Sequence, residues 1–240
     1  MELARFRTQP YTCPYLPYET ASLDYRIAAD MTARSYHELL RRGWRRFGIN
    51  FFRPACPRCV KCRSLRIDVQ EFKPSSSQRR NLRRNSEIGI VVQAPTMTDD
   101  HLRLYDDYHE DMHRRRGWPR QARAEACYQE MFLIGDGGFA REFLYFDRDR
   151  LIGVALADVV SEALSSVYFF HDPGWRARAL GVFSILQQLQ FAREHGLRRQ
   201  YLGYWISECQ SMSYKSQYRP HEILERYPAD DEEPAWVRAR

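Results

Sequence analysis

The chain has 240 residues, of which 44% are hydrophobic and 28% are charged, a composition typical of a folded protein with one large domain or two small ones. Its apolar stretches are shorter than the roughly 20 residues of a membrane span, and residues 1–10 lack the apolar core of a signal peptide. We therefore expect a cytoplasmic protein with no membrane partner. Thiols stay reduced in that compartment, so the six cysteines favour metal ligation or redox sensing over disulfides. The formal net charge of +6 favours a polyanionic partner.

Helical spacing is the first pattern along the chain. Five apolar residues lie three or four positions apart: Tyr36, Leu39, Leu40, Trp44 and Phe47. This spacing predicts one helix with an apolar stripe. The other face of that helix carries four arginines: Arg41, Arg42, Arg45 and Arg46. Such a face is either a solvated surface or a contact with phosphates.

A cysteine-rich loop follows this segment. Four cysteines are candidate metal ligands: Cys13, Cys56, Cys59 and Cys62. The last three are separated by two-residue gaps, so one turn of backbone can direct several thiolates at one ion. Zinc and an iron–sulfur cluster accept the same ligands, and ordinary buried or free thiols are the third reading. Cys127 and Cys209 stand alone and are predicted to be packing residues.

A very basic segment comes next. Residues 65–69 are predicted to form a strand, and residues 75–85 a turn and a helix. Serines precede this helix, and its four arginines recur at three- and four-residue spacing: Arg79, Arg80, Arg83 and Arg84. A guanidinium presents paired donors to a phosphate or a carboxylate, so this face could grip either anion. A solvated surface helix is the alternative.

The second half of the chain has a different pattern. Its predicted elements are helices at residues 99–115 and 122–134, strands between residues 139 and 170 with turns at 147–150 and 161–162, a helix at 176–195 and a strand at 201–206. Hairpin strands, a turn, a long helix and another strand are the order of an α+β domain of the N-acyltransferase (GNAT-like) type. We expect two domains, a cysteine-bearing one at residues 1–90 and the acyltransferase-like one at residues 91–240.

The turn before the long helix contains half of a coenzyme A motif. Arg178-x-x-Gly181 repeats the first part of the pattern by which acetyltransferases present backbone amides to a pyrophosphate at a helix N-terminus. Phe183 stands where the close approach of a pyrophosphate requires Gly or Ala. This residue disfavours coenzyme A but leaves room for a single phosphate or a sugar. We therefore expect a different acyl carrier.

A short zinc-protease pattern occurs in the helix predicted at residues 99–115. His109 and His113 match the spacing of HExxH, in which both histidines bind zinc and the glutamate acts as a base. Here the pattern lies in a strongly charged stretch, with Asp111 inside it and arginines directly after it, unlike the mostly apolar helix that buries such a site. We take the match to be accidental.

Several of these motifs together resemble one family. The following groups come in the order seen in arginyl-tRNA-protein transferases: Cys13-Pro-Tyr-Leu-Pro17, Gly43-Trp-Arg45-Arg46, Arg53-Pro-x-Cys56-x-x-Cys59-x-x-Cys62, Ser75-x-Ser77-Gln-Arg79-Arg80, Leu202-Gly-Tyr-Trp205-Ile206, Met212-Ser-Tyr214-Lys215 and Arg219-Pro220. The resemblance runs from about residue 11 to residue 225. The chain is similar to the short bacterial branch of that family, the aspartate/glutamate leucyltransferases.

This resemblance implies a reaction. The enzyme would transfer leucine from leucyl-tRNA to the N-terminal Asp or Glu of an acceptor protein, which marks that protein for degradation, without coenzyme A or any cofactor required for the chemistry. In eukaryotic relatives the cysteines are tied to redox-sensitive iron chemistry. Three alternatives stay open: an arginyl-tRNA-protein transferase, a zinc- or tRNA-binding module without activity, and a coenzyme A-dependent acetyltransferase.

Candidate site residues follow from the motifs and the expected fold. Groups at the ends of the two strands that flank the long helix would stabilise the oxyanion: Tyr168, His171 or Asp172, and Tyr204. An acidic acceptor side chain needs a cationic partner, for which the candidates are Arg79, Arg80 and Lys215. The candidates for contact with tRNA are Arg45, Arg83, Arg84, Arg178 and Tyr214.

Overall fold

The computed structural model describes residues 1–120 and 122–239. The first half contains β1 (Glu2–Arg7), β2 (Tyr11–Thr12), β3 (Thr20–Ala21), β4 (Leu23–Ala28), α1 (Ala33–Arg41), β5 (Arg45–Phe47), β6 (Asn50–Pro54), β7 (Arg63–Asp68) and α2 (Ser76–Arg84). The second half begins with β8 (Gly89–Gln93), α3 (Asp99–Arg116), α4 (Ala124–Tyr128) with a π-helical turn (Gln129–Leu133), β9 (Ala140–Asp147), β10 (Arg150–Val160) and β11 (Ala163–His171). It ends with a 3-10 turn (Pro173–Arg178), α5 (Leu180–Glu194), β12 (Arg199–Trp205), α6 (Gln210–Ser213), a second 3-10 turn (Tyr214–Gln217), β13 (His221–Leu224) and β14 (Trp236–Arg238).

Within the described ranges these strands form three sheets. The largest has eight strands in the order β14-β13-β7-β12-β11-β10-β9-β8, and the first half adds a four-stranded sheet, β1-β4-β6-β5, and the β2-β3 pair. In the eight-stranded sheet β11 and β12 run parallel, joined by the crossover helix α5, and the other neighbouring pairs are antiparallel. The predicted α+β class and its acyltransferase-like order of elements are confirmed.

Helices cover both faces of the large sheet. Alternate side chains of a strand point to opposite faces, so β10 contributes to both cores. On one face Ala155 and Ala157 pack with Phe183 and other residues of α5. On the other face Val154 packs in the core that includes Tyr105 of α3. A further core joins α1 to the four-stranded sheet through Tyr36, Leu40, Trp44 and Phe51.

The basic segment predicted at residues 75–85 folds as expected because its local signals agree. Ser75 caps α2 by accepting from the backbone N–H of Gln78, and the Gln78 side chain accepts from the backbone N–H of Ser75. This capping box satisfies two backbone donors that a helix start leaves free. The turns predicted at residues 147–150 and 161–162 likewise join β9 to β10 and β10 to β11.

The helix predicted through Phe47 is wrong. Helix α1 ends at Arg41, and residues 45–47 form a strand. Gly43 reverses the chain with φ of +84°, and a Cβ atom there would lie 2.4 Å from Cε1 of Tyr227, so a side chain is excluded. As a result, Arg45 and Arg46 are buried instead of lining a solvated helix face.

The large sheet draws strands from both halves of the chain. β7 lies in the predicted N-terminal domain, yet it pairs with β12 on one side and β13 on the other. The boundary at residue 90 stays a prediction. Within the described residues, none of the helices has the length and apolar character that crossing a bilayer requires.

Candidate active site

Strands β11 and β12 separate in the middle of the large sheet. Their parallel pairing begins with Ala163 opposite Arg199 and ends with Ser165 opposite Tyr201. Both strands continue well past these residues, and the structure describes all of them, so a gap opens towards their carboxyl ends. We call this gap the wedge. Helix α5 follows β11, so its N-terminus lies at the same end of the sheet as the wedge.

Arg45 of β5 lies in the wedge. Its Nη2 donates to the carbonyl oxygen of Ser166, the first residue of β11 beyond the last pair. Gly203 of β12 lies on the other side, where an added Cβ would be 3.4 Å from Nε of Arg45. Among the described residues the Nη1 atom of Arg45 is buried and has no hydrogen-bond partner. The sequence predicts that Arg45 contacts tRNA from an exposed helix face, but only 8% of this residue is exposed.

Lys215 is a second buried cation near the wedge. Its ammonium donates to the carbonyl oxygen of Tyr204 at 2.7 Å and lies 3.3 Å from the sulfur of Met212. Burial lowers the pKa of Lys215 to about 7, and the charge of Arg45 acts in the same direction. The neighbouring Tyr214 is exposed, whereas Lys215 is buried. The assignments of Lys215 to the acceptor and Tyr214 to tRNA stay predictions.

Tyr204 is buried on β12, where its hydroxyl donates to the carbonyl oxygen of Phe52 at 3.0 Å. This bond ties β6 of the four-stranded sheet to the large sheet. Burial raises the pKa of Tyr204 well above its usual range, so the phenol stays protonated. The Tyr204 hydroxyl is therefore already hydrogen-bonded to a backbone carbonyl. A catalytic role for Tyr204 stays a prediction.

Tyr168 and His109 form a hydrogen-bonded dyad between β11 and α3. His109 Nδ1 lies 2.7 Å from the Tyr105 carbonyl oxygen, which can only accept, so Nδ1 carries the proton. His109 Nε2 is then the acceptor for the Tyr168 hydroxyl, 3.0 Å away. Burial lowers the pKa of His109 and raises that of Tyr168, so both groups are neutral near pH 7. A neutral pair of this kind can relay a proton.

A cavity of about 320 Å³ opens beside this dyad. His109 lines it together with five other residues: Asp106, Glu110, Arg120, Ala122 and Ala124. His113, the other histidine of the HExxH match, is engaged elsewhere, because its Nδ1 donates to the Trp118 carbonyl oxygen at 2.6 Å. The dyad therefore has an opening of its own on the α3 side of the sheet.

Asp172 directly follows β11 and has structural contacts. Its Oδ1 accepts from the backbone N–H of Gly174 at 2.7 Å, which caps the following 3-10 turn, and its other oxygen pairs with Arg150. His171 donates from Nδ1 to the Asp172 carbonyl oxygen at 2.8 Å. These contacts fix the turn that leads into α5, and catalytic roles for His171 and Asp172 stay predictions.

Helix α2 is tied to the turn before α5. Asn81 and Asn85 each donate from the side-chain amide to the Arg178 carbonyl oxygen at 3.0 Å. Arg84 donates to the Ala177 carbonyl oxygen at 3.0 Å, and Arg178 donates to the Arg84 carbonyl oxygen at 2.7 Å. Two basic motifs that are almost 100 residues apart in the chain thus lie side by side.

We call the resulting basic region the arginine surface: Arg79, Arg80, Arg83, Arg84 and Arg178. The first four are exposed, and Arg178 is partly exposed. Arg79 donates to the Pro74 carbonyl oxygen at 2.6 Å and to Ser76 Oγ at 3.0 Å, contacts on its own helix that leave its charge facing solvent. The surface lies near the N-terminus of α5, where backbone N–H groups also attract anions.

Four of the six cysteines meet in one cluster, which does not include the predicted ligand Cys59. Cys13 and Cys209 are buried with Leu16 and Ile206, and Cys56 and Cys62 pack against them. The sequence predicts that Cys209 is an isolated packing residue, because nothing in its local sequence links it to the other cysteines.

Metal binding would require these cysteines to lose their protons. Without a metal, burial raises the pKa of Cys62 to about 12 and that of Cys56 above its usual range, so both are thiols. Across residues 1–120 and 122–239, no group of three or more His, Cys, Asp or Glu side chains is arranged so that it could hold a metal ion. The zinc or iron–sulfur site at Cys13, Cys56, Cys59 and Cys62 stays a prediction, and we derive no reaction step from it.

A two-part family description matches this chain. The N-terminal part of the arginine-tRNA-protein transferase family matches residues 11–80, and the C-terminal part matches residues 100–225. The chain belongs to this family. The predicted resemblance is therefore confirmed over the range from which it was drawn.

Individual relatives extend over almost the whole chain. A Helicobacter hepaticus protein named aspartate/glutamate leucyltransferase is 36% identical over 98% of both chains. A Saccharophagus degradans protein of the same name is 38% identical over 93% of this chain and 94% of its own. Among solved structures, FemX is 12% identical with a TM-score of 0.49 over 69% of this chain and 60% of its own, a likeness that carries no argument about function.

Proposed function

We propose that the chain transfers leucine from leucyl-tRNA to the N-terminal Asp or Glu of an acceptor protein in the cytoplasm, and that the added residue marks the acceptor for degradation. The observation that carries this proposal is the likeness, over more than nine-tenths of both chains, to proteins named aspartate/glutamate leucyltransferase. The wedge and the arginine surface support it, because they provide a reaction centre and a polyanion-binding face at one end of the sheet.

The arginine surface is the proposed binding site for the tRNA near its charged 3′ end. Phosphates are bound well by guanidinium groups, and the backbone N–H groups at the start of α5 add donors for one of them. Phe183, where a coenzyme A pyrophosphate would need a small residue, is buried in the core of the large sheet. We therefore propose that the acyl donor is aminoacyl-tRNA and not coenzyme A.

The proposed chemistry is aminolysis of an ester. The α-amine of the acceptor attacks the leucyl carbonyl carbon, a C–N bond forms, and the bond to the ribose oxygen of the terminal adenosine breaks. An α-amine has a pKa of about 7.7 to 8.0, so part of it is neutral at physiological pH, and positioning supplies much of the acceleration. The attacking nitrogen must lose a proton while the ribose oxygen gains one.

The Tyr168–His109 dyad is the proposed proton relay. The nitrogen becomes strongly acidic once it has bonded to the carbonyl carbon, so a weak base is sufficient to remove its proton. The Tyr168 oxygen accepts that proton as its own passes to His109 Nε2, across the 3.0 Å hydrogen bond already present. The proton then returns by the same route to the leaving ribose oxygen.

Transfer with purified components tests the function. The protein is incubated with leucyl-tRNA and peptides that begin with Asp, Glu, Asn or Ala, and products are identified by mass spectrometry. We expect one leucine on the Asp and Glu peptides alone. Arginyl-tRNA and acetyl-coenzyme A are the comparison donors. Transfer of arginine but not leucine would make the chain an arginyltransferase, and transfer from acetyl-coenzyme A would make it an acetyltransferase. If no donor reacts but tRNA binds, it is a binding module.

A further inference from the structure

Two cations are buried together beside the wedge. Arg45 is 8% exposed and Lys215 is 9% exposed. In the part of the chain that the structure describes, neither forms an ion pair with a carboxylate. Their partners are the backbone carbonyl oxygens of Ser166 and Tyr204 and the sulfur of Met212. Each charge is therefore hydrogen-bonded in part but not neutralised.

Arg46 shows how this fold treats a buried cation that has only a structural role. It follows Arg45 in the chain, is equally buried, and forms a two-point ion pair with Asp158. Arg53, also buried, lies 3.9 Å from a carboxylate oxygen of Asp24. A buried charge without a partner of opposite sign costs free energy, and protein interiors normally avoid it. Arg45 and Lys215 are therefore buried cations without a carboxylate partner among the described residues. A bound ligand can supply that negative charge.

The geometry leaves a donor free for that counter-charge. Arg45 Nη1 is buried without a partner, while Nη2 of the same guanidinium is fixed on Ser166. Gly203 gives the guanidinium room on the β12 side, since a Cβ atom added there would lie only 3.4 Å from Arg45 Nε. Lys215 adds an ammonium whose protons can turn towards a bound anion. The planar guanidinium of Arg45 and the rotatable ammonium of Lys215 can together bind a carboxylate at slightly different depths, as the side chains of Asp and Glu require.

We propose that Arg45 and Lys215 bind the side-chain carboxylate of the acceptor's N-terminal Asp or Glu, an inference that rests on the proposed leucyl transfer. The acidic side chain and the reactive α-amine belong to the same residue, so the carboxylate must lie close to the reaction centre. The carboxylate stays negative throughout the bound state, so it balances the permanent charge of Arg45 and favours the protonated form of Lys215. An oxyanion that exists only during reaction would leave them unbalanced in the complex with substrates.

The pair also explains the rejection of neutral acceptors. Asn and Gln present an NH2 group where Asp and Glu present a second acceptor oxygen, so donors would face donors in a dehydrated site. Arg79 and Arg80, the partners that the sequence suggested, are exposed on the arginine surface, where water weakens discrimination between charged and neutral side chains. The proposed acceptor site therefore consists of Lys215 and Arg45, and it does not include Arg79 or Arg80.

Acceptor preference tests the pair. We compare kcat/KM for peptides that begin with Asp, Glu or Asn, at saturating leucyl-tRNA, in Lys215→Met and Arg45→Gln. Transfer to Asp and Glu should fall at least about tenfold, because a buried charge loses its partner, while the low transfer to Asn stays nearly constant. Lys73→Met is the matched control, since Lys73 is exposed and should keep the wild-type preference. An equal fall for Asp and Asn peptides, or an unchanged preference in both variants, would overturn the assignment.

Two further measurements separate this inference from folding and from the proposed function. Lys215→Arg and Arg45→Lys keep both charges, and we expect them to retain more Asp preference than the neutral variants. Calorimetry then compares the binding of Asp and Asn peptides to wild type and Lys215→Met without tRNA. The wild type should bind the Asp peptide more tightly than the Asn peptide. Lys215→Met should bind the two peptides equally. Equal binding of both peptides to the wild type contradicts the pair, whereas a failure of leucine transfer contradicts the proposed function alone.

Discussion

The His109 ring accepts a hydrogen bond from the Tyr168 hydroxyl at 3.0 Å, and the Tyr105 carbonyl oxygen fixes the tautomer that makes this possible. The contact joins helix α3 to β11, two elements whose interacting residues are 59 positions apart. It turns the phenol oxygen into a better proton acceptor, because the hydrogen of the hydroxyl is already directed at a basic nitrogen.

Tyr168→Phe should lower kcat for leucine transfer by about 10-fold to 100-fold, at the low end of general acid–base effects, since much of the amine is already neutral. Binding of leucyl-tRNA should not change. Single-turnover transfer to an Asp peptide measures the effect. Tyr105→Phe is the control: its hydroxyl is buried without a hydrogen-bond partner among the described residues, so its removal should leave the rate intact. Equal rates in Tyr168→Phe and the wild type would exclude the relay.

Salt dependence should reveal the arginine surface. If Arg80 and Arg83 contact phosphates, the logarithm of tRNA affinity falls linearly with the logarithm of salt concentration, and each replacement by Ala reduces the slope by about 0.7 to 0.9. Filter binding of leucyl-tRNA across a salt series gives these slopes. Arg34→Ala, an exposed arginine on α1, should keep the wild-type slope. A wild-type affinity that does not respond to salt would contradict binding led by phosphates.

Local signals explain what the sequence could predict. Helix α2 starts where Ser75 and Gln78 form a capping box, and the predicted turns at residues 147–150 and 161–162 are short polar segments between apolar strands. Each signal lies within a few residues of the element that it predicts. The order of elements in the second half, and with it the acyltransferase-like class, could therefore be predicted before any contact between distant residues was known.

Distant contacts explain what the sequence could not predict. The apolar stripe through Trp44 continues past the end of α1 because Trp44, which lies just before β5, packs in the same core. Gly43 turns the chain there with a positive φ, and Tyr227, which is distant in the sequence, leaves no room for a side chain at position 43. Arg45 enters the wedge through a carbonyl that is 121 positions away. Spacing in a short segment carries no information about these partners. The pattern therefore predicts a surface arginine where the structure has a buried one.

The Arg46–Asp158 ion pair should be costly to break. The two side chains are 3% and 1% exposed, and Arg46→Met leaves a buried carboxylate without its partner. We expect a loss of about 3 to 5 kcal/mol in the free energy of unfolding, measured with urea. Arg7→Met is the matched control, because Arg7 pairs with Asp24 but is 63% exposed, and its loss should cost less than about 1 kcal/mol.

A double variant checks the reason for that cost. Arg46→Met combined with Asp158→Leu removes both charges, so no unpaired carboxylate remains in the core. Much of the lost stability should return. If the double variant is as unstable as Arg46→Met alone, the loss comes from packing around Arg46 and not from the stranded charge.

Acid should weaken the anchoring of α3 through Glu142. This carboxylate is fully buried on β9, where it accepts hydrogen bonds from Gln93 at 2.8 Å and Thr96 at 2.7 Å and lies 3.3 Å from Nε2 of His101. Burial alone would raise the pKa of Glu142, but the nearby His101 ring and the hydrogen bonds from Thr96 and Gln93 together outweigh it and lower the pKa.

The sign of the pH dependence follows from that direction. A carboxylate whose pKa is lower in the folded state stabilises the fold above the pKa of the unfolded chain, about 4.3, and this contribution is lost as the pH falls through the folded value. Glu142→Gln cannot ionise, so it should be less stable than the wild type at pH 7. The difference in Tm between the two proteins should narrow steadily below about pH 5. A difference that stays constant from pH 7 to the acid limit of folding would show that Glu142 does not owe its stabilising effect to its charge.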